Sequence, residues 1–84
     1  MNKSVHQQID ELRAKQNLIT DRINHKRDEI YCLEHTLEDG SCSSLEIVAF
    51  SQKLVLLRVE IENLQAESQS VRLRLINLMD KLFE

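Results

Sequence analysis

Apolar residues recur along this chain in alternating steps of three and four, and the pattern is interrupted once. In the first half, Val5, Ile9, Leu12, Gln16, Ile19, Ile23, Lys26, Ile30, Leu33 and Leu37 follow the alternation without a slip. In the second half, Ile47, Phe50, Leu54, Leu57, Ile61, Leu64, Ser68, Val71, Leu75, Leu78 and Leu82 do the same. A repeat averaging about 3.5 residues keeps one stripe facing a partner only when helices wrap around each other. Each half therefore predicts a coiled-coil helix with a left-handed supercoil.

The interruption is Asp39-Gly40-Ser41-Cys42-Ser43-Ser44, which holds the only glycine in a chain that has no proline. Gly40 suits a left-handed residue just past a helix end, because it lacks the Cβ that makes this conformation costly. Ser43 followed three residues later by Glu46 reads as a capping box opening a second helix, and Ser4 is placed to cap the first. The chain is thus expected to be one all-α domain over 1–84: a helix over about 4–38, a turn over 39–43 and a helix over about 44–83. So short a connection makes the arms antiparallel neighbours in a two-helix hairpin. Spacing leaves two registers open, one pairing Ile30 with Leu57 and one, shifted by a heptad, pairing it with Phe50.

The second arm carries more apolar residues than one seam needs. Val48, Val55, Leu56, Val59, Leu73, Ile76, Met79 and Phe83 lie off the stripe. A helix with a widened apolar face calls for another layer, because a stripe left in water forgoes its burial energy. The expected outcomes are a homodimer forming a four-helix bundle, or a clamp on helices of another protein. The candidate face is Val48, Ser51, Gln52, Val55, Val59, Leu73, Ile76 and Met79. Three seam positions are polar: Gln16, Lys26 and Ser68. They read either as devices that disfavour slipped registers or as tolerated imperfections, with Lys26 extending its amine to water.

Charge narrows the partners. Eleven basic and fourteen acidic side chains give the 84 residues a formal charge of −3, with the signs interspersed. There is no basic block to hold a phosphate backbone, so no nucleic-acid partner is expected. No apolar run nears the roughly 20 residues needed to cross a bilayer, and the N-terminal stretch lacks the apolar segment of a secretory signal. A cytoplasmic protein is the expectation, in which Cys32 and Cys42 stay thiols. One glycine rules out a glycine-rich phosphate loop, and no cofactor is expected. Cys32, His35 and Cys42 offer three ligands for a metal without the usual paired spacing, so no metal site is assigned. The abundant carboxylates read as solvated partners of Lys or Arg one turn away, as in Glu11 and Lys15.

One segment points to chemistry. Ile23, Lys26, Arg27 and Ile30, then a polar turn with Gly40, then Glu46-Ile47-Val48 and Ser51-Gln52-x-Leu54, resemble the small aspartyl-phosphate phosphatases that control sporulation phosphorelays. The resemblance covers about residues 23–64. Those proteins are helical hairpins with a Ser-Gln-Glu-Leu-Asp motif early in the second helix. Ser51, Gln52 and Leu54 match it, while Lys53 and Val55 stand where the family has its acidic residues. The resemblance implies a response-regulator receiver domain as partner and Gln52 as the candidate catalytic residue. A side-chain amide there would orient a water toward the partner's acyl phosphate. The expectation from the rest of the residues is a non-enzymatic interaction module: an adaptor, chaperone or regulatory inhibitor.

Overall fold

The computed structural model describes residues 3–83. Met1 and Asn2, part of the stretch read for a secretory signal, and Glu84 lie outside the described residues. Two helices make up the fold, α1 over Val5–Glu38 and α2 over Ser44–Leu82, with no strand among the described residues. They run antiparallel as a hairpin with extents of 61 × 23 × 14 Å.

Local chemistry sets the ends. Ser4 lies outside α1 as its N-cap, with its hydroxyl accepting from the Gln7 N–H and the Gln7 side chain accepting from the Ser4 N–H. Ser43 and Glu46 make the same reciprocal pair at the start of α2. Each box satisfies two amides that the helix itself leaves without partners. At the far end of α1, the Asp39 N–H still bonds the His35 carbonyl, and Gly40 then turns the chain with φ of +73°. No atom crowds the position where a Cβ would sit. Glycine is favoured here by backbone conformation, not by space. The Cys42 thiol donates to the Thr36 carbonyl at 3.4 Å, tying the turn back to the last stretch of α1.

The core is the interface between the two stripes. Its buried residues are Ile9 and Ile19 of α1 with Leu54, Leu57, Ile61 and Val71 of α2, and every one occupies a seam position of the repeat. Ile19 and Val71, each 2% exposed, are the most completely enclosed. The remaining seam residues are half-buried, as expected when each helix has one neighbour, except Ile47 and Leu82 at the two ends of α2, which are exposed.

Two ion pairs on opposite flanks of the seam fix the register. Lys15 and Glu67, 3.7 Å apart, each precede a seam position; Glu34 and Arg58, 3.1 Å apart, each follow one. Their offsets along the hairpin are opposed, and midway between them Ile30 falls opposite Leu57. Pairing Ile30 with Phe50 would carry Arg58 a further heptad, about 10 Å, away from Glu34. Ile47 fits the same register. It lies level with the turn, past the last seam residue of α1, and is 46% exposed although its spacing places it in the seam. Leu82, at the other end, is level with Val5, the first residue of α1; it forms the last layer of the seam, with none beyond it, and is 43% exposed.

Each polar seam residue finds a partner on the opposite helix. The Gln16 amide Nε2 donates to the Ser68 hydroxyl at 2.6 Å, and the Lys26 ammonium meets a Glu60 carboxylate oxygen at 2.6 Å. Lys26 thus reaches a carboxylate of the opposite helix, as its long stem allows, while its side chain stays 27% exposed. The pairing of Glu11 with Lys15 is also corrected. Glu11 pairs with Lys3, and Lys15 reaches across to Glu67, because carboxylates beyond its own helix surface compete for the same flexible ammonium.

Candidate functional site

The face of α2 turned away from α1 repeats with its own heptad. Leu45, Val48, Gln52, Val55, Val59, Glu62, Ala66, Gln69, Leu73 and Ile76 step three and four in alternation, in a phase that puts them on the back of the seam. All ten are exposed. The aliphatic members are well uncovered, from 47% for Val59 to 84% for Leu45. Leu56, beside this stripe, is exposed as well. Apolar character gathers toward the turn and again at Leu73 and Ile76, with Glu62 and Gln69 between the two groups. Scattered exposed aliphatics need no explanation, but here they form a periodic line along a single helix, an apolar face that α1 does not cover.

Of the residues assigned to this face from the sequence, Val48, Val55, Val59, Leu73 and Ile76 share the stripe. Ser51 and Gln52 are exposed in the same region, with the Gln52 amide set between Val48 and Val55 along the stripe. Met79 does not join them as an outward contact. It follows the seam residue Leu78 directly, so it flanks the seam and is half-buried. Leu45 was the residue missed, since its place in the stripe shows only when the second repeat is extended back into the first turn of α2. Phe83 is exposed just past the last residue of α2.

The metal-ligating trio weighed from the sequence does not come together. Among the described residues, no group of three His, Cys, Asp or Glu side chains converges on a common point. The His35 ring instead packs edge-on against Tyr31, with centroids 4.3 Å apart. Cys32 is an exposed free thiol on α1, and Cys42 is half-buried at the turn. The depressions on the hairpin are shallow, and one of them, near its open end, groups Gln8, Glu11, Lys15 and Arg74. None of these side chains is buried, so this groove lacks the enclosed polar group that a small-molecule site uses to fix its ligand. Among the described residues, no helix is long and apolar enough to cross a membrane.

The fold is therefore an all-α helical hairpin, and the surface that stands out on it is a stripe and not a pocket. No protein-family model, curated protein or solved structure matches this chain.

Proposed function

We propose that this chain is a non-enzymatic protein–protein interaction module, an adaptor, chaperone or regulatory inhibitor that acts in the cytoplasm through the outward stripe of α2. The observation that carries the reading is the second heptad on α2, with Val48, Val55, Leu73 and Ile76 each about half exposed or more. Full burial of one such aliphatic side chain contributes about 1.5–3 kcal/mol, so a few of them suffice to hold another helical layer. The assembly that fits is a four-helix bundle made from two hairpins, since isologous dimers are the commonest oligomers and a stripe along a straight helix suits helix-on-helix packing.

The test introduces a charge where packing is expected. Val55→Glu with Ile76→Glu should reduce the mass measured by light scattering from that of the assembly to that of one chain, with helical circular dichroism retained. Two exposed positions tolerate Glu as far as the hairpin itself is concerned. An assembly that persists unchanged in this variant would sink the assignment of the face.

A second reading draws on one specific observation: Gln52 presents its amide to solvent from a rigid helix, flanked by apolar side chains able to seat a partner. In this reading the chain docks on a phosphorylated receiver domain, and Gln52 orients the water that attacks phosphorus. The phosphoryl group leaves the aspartate as inorganic phosphate, and the metal is supplied by the receiver. Lys53 and Val55, standing in place of the acidic motif residues, weigh against it. Phosphate release from a phosphorylated receiver, accelerated by the chain and lost in Gln52→Ala, would favour this reading. Equal release with and without the chain would eliminate it.

A further inference from the structure

We infer that the outward stripe of α2 is built to pair with the same stripe of a second copy, antiparallel, in one register centred between Val59 and Glu62. This deepens the proposed function by naming the partner and its orientation, and it rests on that reading. The stripe matches itself when read backwards. Setting Leu45 against Ile76 of the second copy brings Val48 opposite Leu73, aliphatic on aliphatic. The next layer joins Gln52 to Gln69, the two amides of the stripe, each able to donate and accept across the interface. Val55 then meets Ala66, and the two-fold axis falls between the paired layers of Val59 and Glu62. Every layer but the central one matches in polarity, and all ten positions are uncovered in the hairpin.

The central mismatch carries its own remedy. In this register Arg58 of one copy lies within one residue of the level of Glu62 of the other, so each Glu62 carboxylate meets a guanidinium. Arg58 already leans on Glu34 at 3.1 Å, which holds it at the edge of the same region. Charge complementarity across an interface selects register more than it adds affinity.

The registers shifted by a heptad are worse by the same count. A shift of one heptad in one direction sets Val48 against Asp80, Gln52 against Ile76 and Val59 against Gln69, burying amides and a carboxylate on aliphatic partners. A shift in the other direction sets Leu45 against Gln69 and Gln52 against Glu62, and leaves Leu73 and Ile76 uncovered. Parallel pairing matches every layer in polarity but places Glu62 directly opposite its own copy, and like charges so placed repel. The antiparallel register spans about 31 residues, or roughly 47 Å of helix, and uses all the exposed aliphatics of the stripe.

Single-cysteine variants test this directly, in full-length chains with Cys32→Ser and Cys42→Ser to remove the native thiols. Val48→Cys and Leu73→Cys are made in separate chains, one carrying a mass tag. Oxidation with copper phenanthroline should yield the mixed disulfide dimer when the two are combined, and no covalent dimer from either alone, because paired positions differ in number only in an antiparallel register. Val48→Cys linking to itself as readily as to Leu73→Cys would overturn the antiparallel register while leaving a self-associating face intact. A light-scattering mass of one chain at every concentration would overturn self-pairing itself. Binding of a foreign helix that Val55→Glu with Ile76→Glu abolishes would, in that case, still uphold the broader reading.

Discussion

Ile19→Asp should abolish the folded state at room temperature, while Leu18→Asp, one residue away, should leave it nearly intact. Ile19 is 2% exposed and Leu18 is 51% exposed, so adjacent positions of one helix sit in opposite solvents. The substitution at Ile19 forfeits about 1.5–3 kcal/mol of apolar burial. It also forces a carboxylate into the seam, where desolvating a charge without a partner costs several kcal/mol more. A hairpin whose helices each have one neighbour has a total stability of only a few kcal/mol. The loss exceeds what is available. Leu18→Asp exchanges one solvated side chain for another and should shift stability by no more than about 0.5 kcal/mol. Far-UV circular dichroism with urea titration separates the two. Comparable helical signals for both variants would mean that the seam is not where the structure puts it. Ile19→Val, which keeps the chemistry and removes one methyl, should cost about 0.5–1.5 kcal/mol and grade the same site.

That contrast is legible in the sequence, because Ile19 is in phase with the repeat and Leu18 is not. All six buried residues are seam positions, and the two caps and Gly40 occupy their expected places, since each depends on residues within a turn of one another. Spacing fails where the outcome depends on the other helix. It counts Ile47 and Leu82 as seam residues, yet both are exposed: Ile47 lies level with Gly40, past the end of α1, and Leu82 meets Val5 in the last layer of the seam. It offers Glu11 to Lys15, yet the lysine takes Glu67 from across the interface. It marks Gln16, Lys26 and Ser68 as polar seam residues but does not say that Gln16 and Ser68 meet, because that requires the register. The outward face was legible as surplus aliphatic residues on the second arm. Met79 is the exception: spacing sets it on that face, yet it is half-buried beside Leu78, because the width of the seam depends on the other helix.

The largest coupling effect should appear at the Gln16–Ser68 pair. The Gln16 amide donates to Ser68 at 2.6 Å, while its Oε1 is buried without a hydrogen-bond partner among the described residues. The pair sits beside Ile19 and Val71, the two most enclosed side chains, so water has poor access to either group. Ser68→Ala alone leaves both ends of the amide without protein partners and should cost about 1–3 kcal/mol. Gln16→Leu removes the orphaned carbonyl and adds apolar burial, and the Ser68 hydroxyl can turn back to a carbonyl of its own helix. In that background Ser68→Ala should be nearly neutral, and the double variant should be more stable than the natural chain. The cycle therefore predicts a coupling energy close to the full cost of the single Ser68→Ala change, measured by urea unfolding. Equal costs of Ser68→Ala in both backgrounds would show that the bond contributes nothing to stability. The same arithmetic explains what the pair does in the native chain. In a hairpin slipped by one heptad, Ile61 or Leu75 would take the place of Ser68, and two polar groups would be buried on aliphatic neighbours. A bond of modest net energy thereby imposes a penalty of several kcal/mol on the wrong register. The gain in stability on replacing both residues should accordingly be accompanied by a loss of uniqueness, visible as broadened amide resonances from hairpins in more than one register.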